Sequence, residues 1–146
     1  MSVLAIIIPY YKKDFLEDNL KSLEAQTCKD FNLYIGNDAS PENPEKIISD
    51  CLKETHYKYI PYSENIGGRC LASQWDRILN EIKDEEWFLI LGDDDTLAEN
   101  FVEAFYNNLP EINKTKSTQV IHQHKALPIN FAKSSTDTIL LVCNVD

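Results

Sequence analysis

No run in this 146-residue sequence is both long and apolar enough to span a bilayer. The first apolar stretch, Val3 to Ile8, falls far short of the roughly 20 residues a span needs. The basic start and small-residue cleavage site of a secretory leader are missing too. Positive charge is scarce: Lys and Arg number 14 against 24 Asp and Glu, a net charge of −10. That argues against a nucleic-acid binder, which would carry a basic face. It leaves room for a nucleotide ligand, because a bound cation offsets phosphate charge locally. The cysteines, Cys28, Cys51, Cys70 and Cys143, include no CxxC pair. Neither a disulfide framework nor a zinc site is indicated, and they are expected to be reduced, small core residues of a cytosolic protein. There is no P-loop and no nucleophilic Asp at the end of the first strand, which counts against a phosphotransferase or phosphohydrolase. No repeat and no low-complexity linker divides the chain.

What is present is an ordinary globular composition, 43% hydrophobic and 10% aromatic, in a length that suits one domain. Apolar, β-rich runs alternate with amphipathic stretches. Leu4-Ala5-Ile6-Ile7-Ile8 reads as a fully buried strand ended by Pro9. Phe15, Leu16, Leu20 and Leu23 follow at helical spacing, with Glu17, Asp18, Lys21 and Glu24 on the other face. Phe31 to Ile35 is the second strand, and Pro44 suits the first turn of a helix striped by Ile47, Ile48, Cys51 and Leu52. Tyr57 to Tyr62 is a short third strand. A helix carrying Leu71, Trp75, Ile78, Leu79 and Ile82 leads to the Trp87–Leu91 strand, and a last helix runs through Phe101, Val102, Phe105 and Leu109. Gln119 to His124 and Thr138 to Cys143 look like two further strands. The alternation predicts an α/β, Rossmann-like domain: a mostly parallel twisted sheet with helices on both faces.

In such sheets ligands bind at the carboxyl ends of the strands. Four of those ends are polar in a particular way. The first is Pro9-Tyr10-Tyr11-Lys12-Lys13, the second Asn37-Asp38-Ala39-Ser40, the third Asn65-Ile66-Gly67-Gly68-Arg69. The fourth is the triplet Asp93-Asp94-Asp95, one residue after an apolar strand. Three adjacent carboxylates repel one another unless a cation or proton intervenes, and their hard oxygens suit magnesium or manganese. Each feature has a bland alternative: a solvated acidic turn, strand-end aromatics packing on the sheet, an Asp–Ser helix cap, a tight glycine turn. Their placement at successive strand ends favours a site comprising an aromatic surface, a hydrogen-bond acceptor, a close-approach backbone with a cation, and a metal-binding turn. His122 and His124 would share one face of a strand, where a half-exposed pair is more common than a metal site.

The segments Ile6-Ile7-Ile8-Pro9-Tyr10-Tyr11, Asn37-Asp38-Ala39-Ser40, Glu64-Asn65-Ile66-Gly67 with Gln74-Trp75-Asp76-Arg77, and Leu91-Gly92-Asp93-Asp94-Asp95-Thr96-Leu97 occur together in order. In this the chain resembles the family 2 glycosyltransferases, which have the A-type (GT-A) nucleotide-sugar fold, over residues 3 to about 110. The resemblance implies that Pro9 and Tyr10, with Tyr11 beside them, contact the base, uracil for a UDP donor. Asp38 would accept a hydrogen bond from the base ring, and Arg69 lies in the loop facing the phosphates. Asp94 would be the metal-binding acid of the DxD motif, Asp93 would contact ribose or metal, and Asp95 stays in play as a second ligand. Two positions depart from the family: Asn37 replaces one of a pair of acids, and Gly92 replaces the leading acid of the DxDD form.

The implied activity is metal-assisted, inverting transfer of a sugar from a nucleoside-diphosphate sugar to a saccharide or lipid-linked acceptor. The expected cofactor is Mn or Mg. The base in the family is an acid in the half following the DxD region; after Glu111 this sequence has only Asp137 and Asp146, neither in a segment that matches the family, so no base is assigned. Residues 1–146 are expected to form one nucleotide-sugar-binding domain, C-terminally truncated because such a domain would continue past Asp146. A catalytically incompetent fragment that keeps the donor site is therefore the alternative. The protein is expected in the cytoplasm, with peripheral membrane association where lipid-linked acceptors lie and no nucleic-acid partner.

Overall fold

A strand that is apolar on every residue needs cover on both faces, and β1 (Leu4–Tyr10) has it. The computed structural model describes residues 2–115, 119–121 and 140–144, with side chains through residue 111. β1 lies at the centre of the sheet. It pairs in parallel with β2 (Asn32–Asn37) on one side and with β4 (Trp87–Ile90) on the other. β3 (Tyr57–Pro61) extends the parallel set beyond β2, while β5 (Gln119–Ile121) and β6 (Leu140–Asn144) add antiparallel strands beyond β4. The order is β3-β2-β1-β4-β6-β5. The mostly parallel sheet read from the alternation is thus present.

Side-chain alternation along β1 divides the core. Leu4, Ile6, Ile8 and Tyr10 pack with α1 (Leu16–Glu24), α2 (Glu45–Cys51) and α4 (Phe101–Thr115) through Leu16, Leu20, Leu23, Ile48, Phe101 and Phe105. Ala5 and Ile7 point to the other face, where α3 (Leu71–Leu79) covers them with Ile78. Helices therefore lie on both faces, and each fully buried aliphatic side chain contributes about 1.5–3 kcal/mol. Among the described residues no helix is long and apolar enough to cross a membrane.

Three local expectations are corrected. Pro9 does not end β1; the strand runs on to Tyr10. Ile7 O accepts Leu91 N, so residue 9 faces the same side, where β4 has already ended at Ile90 and the ladder needs no further N–H of β1 to continue it. Phe15 precedes α1 and is 59% exposed, because the helical stripe starts at Leu16. The cysteines are not fully buried: Cys28 and Cys51 are half-buried at the margin of the core and Cys70 is exposed. Cys143 lies in β6, where only backbone is described.

Candidate active site

The strand order runs outward in opposite directions from the β1–β4 pair, so the loops after these two strands diverge and leave a crevice between them. The acidic triplet sits there. Asp93 Oδ2 accepts hydrogen bonds from the backbone N–H groups of Tyr11 and Lys12, both at 2.9 Å, and so ties the end of β4 to the end of β1. Burial pushes the Asp93 carboxyl above its ordinary value; the two N–H bonds oppose this, and neighbouring Asp94 adds to it. Asp93, expected to contact ribose or metal, thus has one oxygen already committed to backbone. Asp94 is exposed and Asp95 half-buried.

Gly92 shapes the turn. A Cβ built on it would come within 2.9 Å of Asp94 Oδ1 and 2.8 Å of Asp95 Oδ2. Both oxygens therefore border one small space that any larger residue would invade. Among the described residues no group of three or more His, Cys, Asp or Glu converges as a metal cage. Two hard oxygens at an open turn still suit Mg or Mn, which keep waters and substrate phosphates in their coordination shell.

On the β2 side of β1, a cavity of about 370 Å³ is lined by Pro9, Tyr11, Asp38, Asn65, Gly67, Gly68, Leu71 and Gln74. Asp38 is 4% exposed and, among the described residues, is the only carboxylate in that lining. Its Oδ1 accepts Ile66 N at 2.9 Å and the Arg77 guanidinium, and its Oδ2 accepts Gly67 N at 2.9 Å. A carboxylate has about four acceptor positions, so room remains for one more donor. Arg77 is held from several sides. Its guanidinium carbon lies 3.7 Å from the Tyr62 ring centroid, Nη1 donates to Glu64 O at 3.1 Å, and Nε donates to Gln74 Oε1 at 2.5 Å. Gln74 in turn donates to Gly36 O at 3.2 Å. The loop after β3 is thereby fastened to the end of β2.

The turn at Asp38 is built by its neighbour. Asn37 Oδ1 accepts Ser40 N at 2.9 Å and Asn37 Nδ2 donates to Tyr59 Oη at 2.8 Å. Ala39 takes a left-handed φ of 53°. Ser40 Oγ reaches across to Tyr11 O at 2.6 Å. An Asn at position 37 supplies both a donor and an acceptor, which an ionised acid could not.

Of the residues read from sequence, Pro9, Tyr11 and Asp38 line one cavity, and Asp93 is bonded to the backbone of Tyr11 and Lys12 beside it. Tyr10 is corrected. Its ring is fully buried with Ile6 and Ile8, and its hydroxyl donates to Glu42 O at 2.9 Å, so it presents no ring to a ligand. Arg69 is exposed and pairs with Glu64, and it is not among the residues lining the cavity. Arg77, Asn65 and Gln74 have roles that the motif segments holding them do not specify; the i, i+3 spacing of Gln74 and Arg77 is the signal in the sequence. Asn19 was missed altogether. Nothing in sequence flags one amide within a helix. His122, His124, Asp137 and Asp146 lie outside the described residues.

Comparison with known proteins places the fold. The teichoic acid poly(glycerol phosphate) polymerase of Staphylococcus epidermidis is 31% identical over 118 residues, covering 79% of this chain and 15% of that protein. The crystal structure of S. aureus TarS 1-349 in complex with UDP superposes with a TM-score of 0.69 at 18% identity, over 88% of this chain and 38% of that one. The mannosyltransferase PcManGT of Pyrobaculum calidifontis, in complex with GDP-Man and Mn2+, gives a TM-score of 0.59 at 16% identity, over 73% and 31%. The chain thus spans well under half the length of each, and the structural matches establish the shared fold. The sequence model described as glycosyl transferase family 2 matches residues 5–138, and with it the strand-end segments, the parallel sheet and the crevice fall into one account: the chain belongs to glycosyl transferase family 2.

Proposed function

We propose that this chain binds a nucleoside-diphosphate sugar, UDP-linked, and forms the donor site of an inverting, metal-assisted glycosyltransferase acting on a saccharide or lipid-linked acceptor. One observation carries the reading: Pro9, Tyr11 and Asp38 line a single cavity whose rim is bonded to the acidic turn through Asp93. Tyr11 and Pro9 offer apolar surface to the base, and Asp38 keeps an acceptor position for a ring N–H. Asp94 and Asp95 would hold the divalent cation, with Gly92 keeping their oxygens close. Bound there, a cation supplies Lewis-acid neutralisation of the charge that develops on a leaving diphosphate. The relative solved with UDP and the one solved with GDP-Man and Mn2+ support a nucleotide donor and a divalent ion.

A second reading has its own support. Among the described residues Asp38 is the only carboxylate lining the cavity, and it is occupied by backbone and arginine donors, so these residues supply no base. A donor-binding unit without transfer activity of its own fits this equally. Transfer and hydrolysis assays with several nucleotide sugars separate the two, since a competent enzyme turns over at least one. The donor site itself is tested by calorimetry with UDP and manganese. The expected result is binding that falls at least tenfold in Asp94→Ala, with the unfolding midpoint unchanged. Failure to bind any nucleoside diphosphate overturns the proposal.

A further inference from the structure

The acidic turn is not held in place by its own segment alone. One face of α1 and the residues just after it carries polar side chains, Asn19, Ser22 and Gln26, spaced by about one helical turn. Asn19 is fully buried and Gln26 is 3% exposed. Asn19 Nδ2 donates to Gly92 O and to Asp95 O, both at 2.8 Å, so one amide grips the turn at its two ends. Ser22 Oγ accepts Leu97 N at 3.1 Å. Gln26 Nε2 donates to Ala98 O at 2.7 Å and its Oε1 accepts Val102 N at 3.1 Å.

Asn19 Oδ1, equally buried, has no hydrogen-bond partner among the described residues. A leucine here would pack beside Leu16, Leu20 and Leu23 with no unmet atom of its own, but it would take from the Gly92 and Asp95 carbonyls the donor that Asn19 supplies. The site keeps the amide despite the unmet oxygen, and the work left for it is the grip on Gly92 and Asp95. We propose that Asn19 is a positioning residue for the acidic turn: by fixing the carbonyls on either side of Asp93 and Asp94, it holds the Asp94 and Asp95 carboxylates at the spacing that a cation–diphosphate ligand requires. This rests on the donor-site reading given above.

The test uses manganese titration followed by electron paramagnetic resonance, with and without UDP, together with calorimetry for manganese–UDP and for uridine alone. In Asn19→Leu the affinity for manganese–UDP is expected to fall about tenfold, while uridine, which needs only the Pro9–Asp38 cavity, binds within twofold of wild type. Asn19→Ser, which keeps a shorter donor, serves if the leucine variant does not fold, and is expected to fall part of the way. Tyr106→Phe provides the stability control. It removes bonds to Val3 N and Asp30 O near the amino ends of the strands, and manganese–UDP affinity is expected to stay at the wild-type level. Unchanged manganese–UDP binding in Asn19→Leu, or an equal loss in Tyr106→Phe, overturns the positioning role alone. A wild-type protein that binds no manganese–UDP overturns the donor-site reading and this inference together.

Discussion

Tyr10 and Tyr11 are neighbours with opposite fates. Strand periodicity puts residue 10 on the same face as Leu4, Ile6 and Ile8, inside the core, and frees residue 11 at the strand's end, where it is 41% exposed beside the cavity. Tyr10→Phe should cost about 1 kcal/mol of stability, the hydrogen bond to Glu42 O, and leave nucleoside binding unchanged. Tyr11→Ala should do the reverse, weakening uridine by about 1–3 kcal/mol if the base stacks on the ring, with the unfolding midpoint held. Thermal unfolding and calorimetry on the two variants check this; weaker uridine binding in Tyr10→Phe would contradict the burial argument. The alternation that separates the two was legible, since it follows from the apolar run itself. The backbone bonds of Asp93 were not, because Tyr11 and Lys12 lie some eighty positions away in sequence and meet it only through the pairing of β1 with β4.

Helical periodicity locates α1 well and leaves the work of its polar residues unread, for one reason. It sorts side chains by face without knowing what covers that face. Glu24 falls on the face opposite the apolar stripe, yet its carboxylate accepts the backbone N–H groups of Lys53, Glu54 and Thr55 at 3.0, 2.8 and 3.1 Å, joining the end of α1 to the connection before β3. Burial pushes its pKa up, but the nearby Thr55 hydroxyl and the three N–H groups outweigh this and hold it at about 2. The folded value lies below the ordinary 4.5, so ionised Glu24 stabilises the fold. That contribution is complete above about pH 4.5 and is lost as pH falls toward 2. Glu24→Gln should lose about 2 kcal/mol at neutral pH and show a flatter fall in stability between these limits than wild type. Denaturant unfolding at several pH values measures it. An unchanged slope would mean that the carboxylate titrates alike in folded and unfolded chains.

At the scale of the molecule, the sheet's parallel half and its binding edge could be read from alternating runs, whereas the antiparallel pairing of β6 with β4 could not. An apolar run fixes that a strand is buried and leaves its direction and neighbour open. Net charge is the other whole-molecule property, and it bears on ligand capture. The chain carries −10, and Asp38, Asp93, Asp94 and Asp95 all lie along the edge where a diphosphate would sit. Without a cation this field opposes UDP, and salt relieves the opposition: the screening length shortens from about 30 Å at 0.01 M to about 8 Å at 0.15 M. UDP affinity measured without divalent ions should therefore rise several-fold over that range, on the order of 1 kcal/mol. Uridine, which is uncharged, should not respond. With saturating manganese the local charge is offset, and UDP affinity should change less than twofold. Calorimetry at fixed pH across the series decides the matter. If metal-free UDP instead weakens with salt, attraction to Lys12 and Lys13 at the end of β1 outweighs the acidic field, and diphosphate capture at this edge is governed by those lysines rather than by the carboxylates.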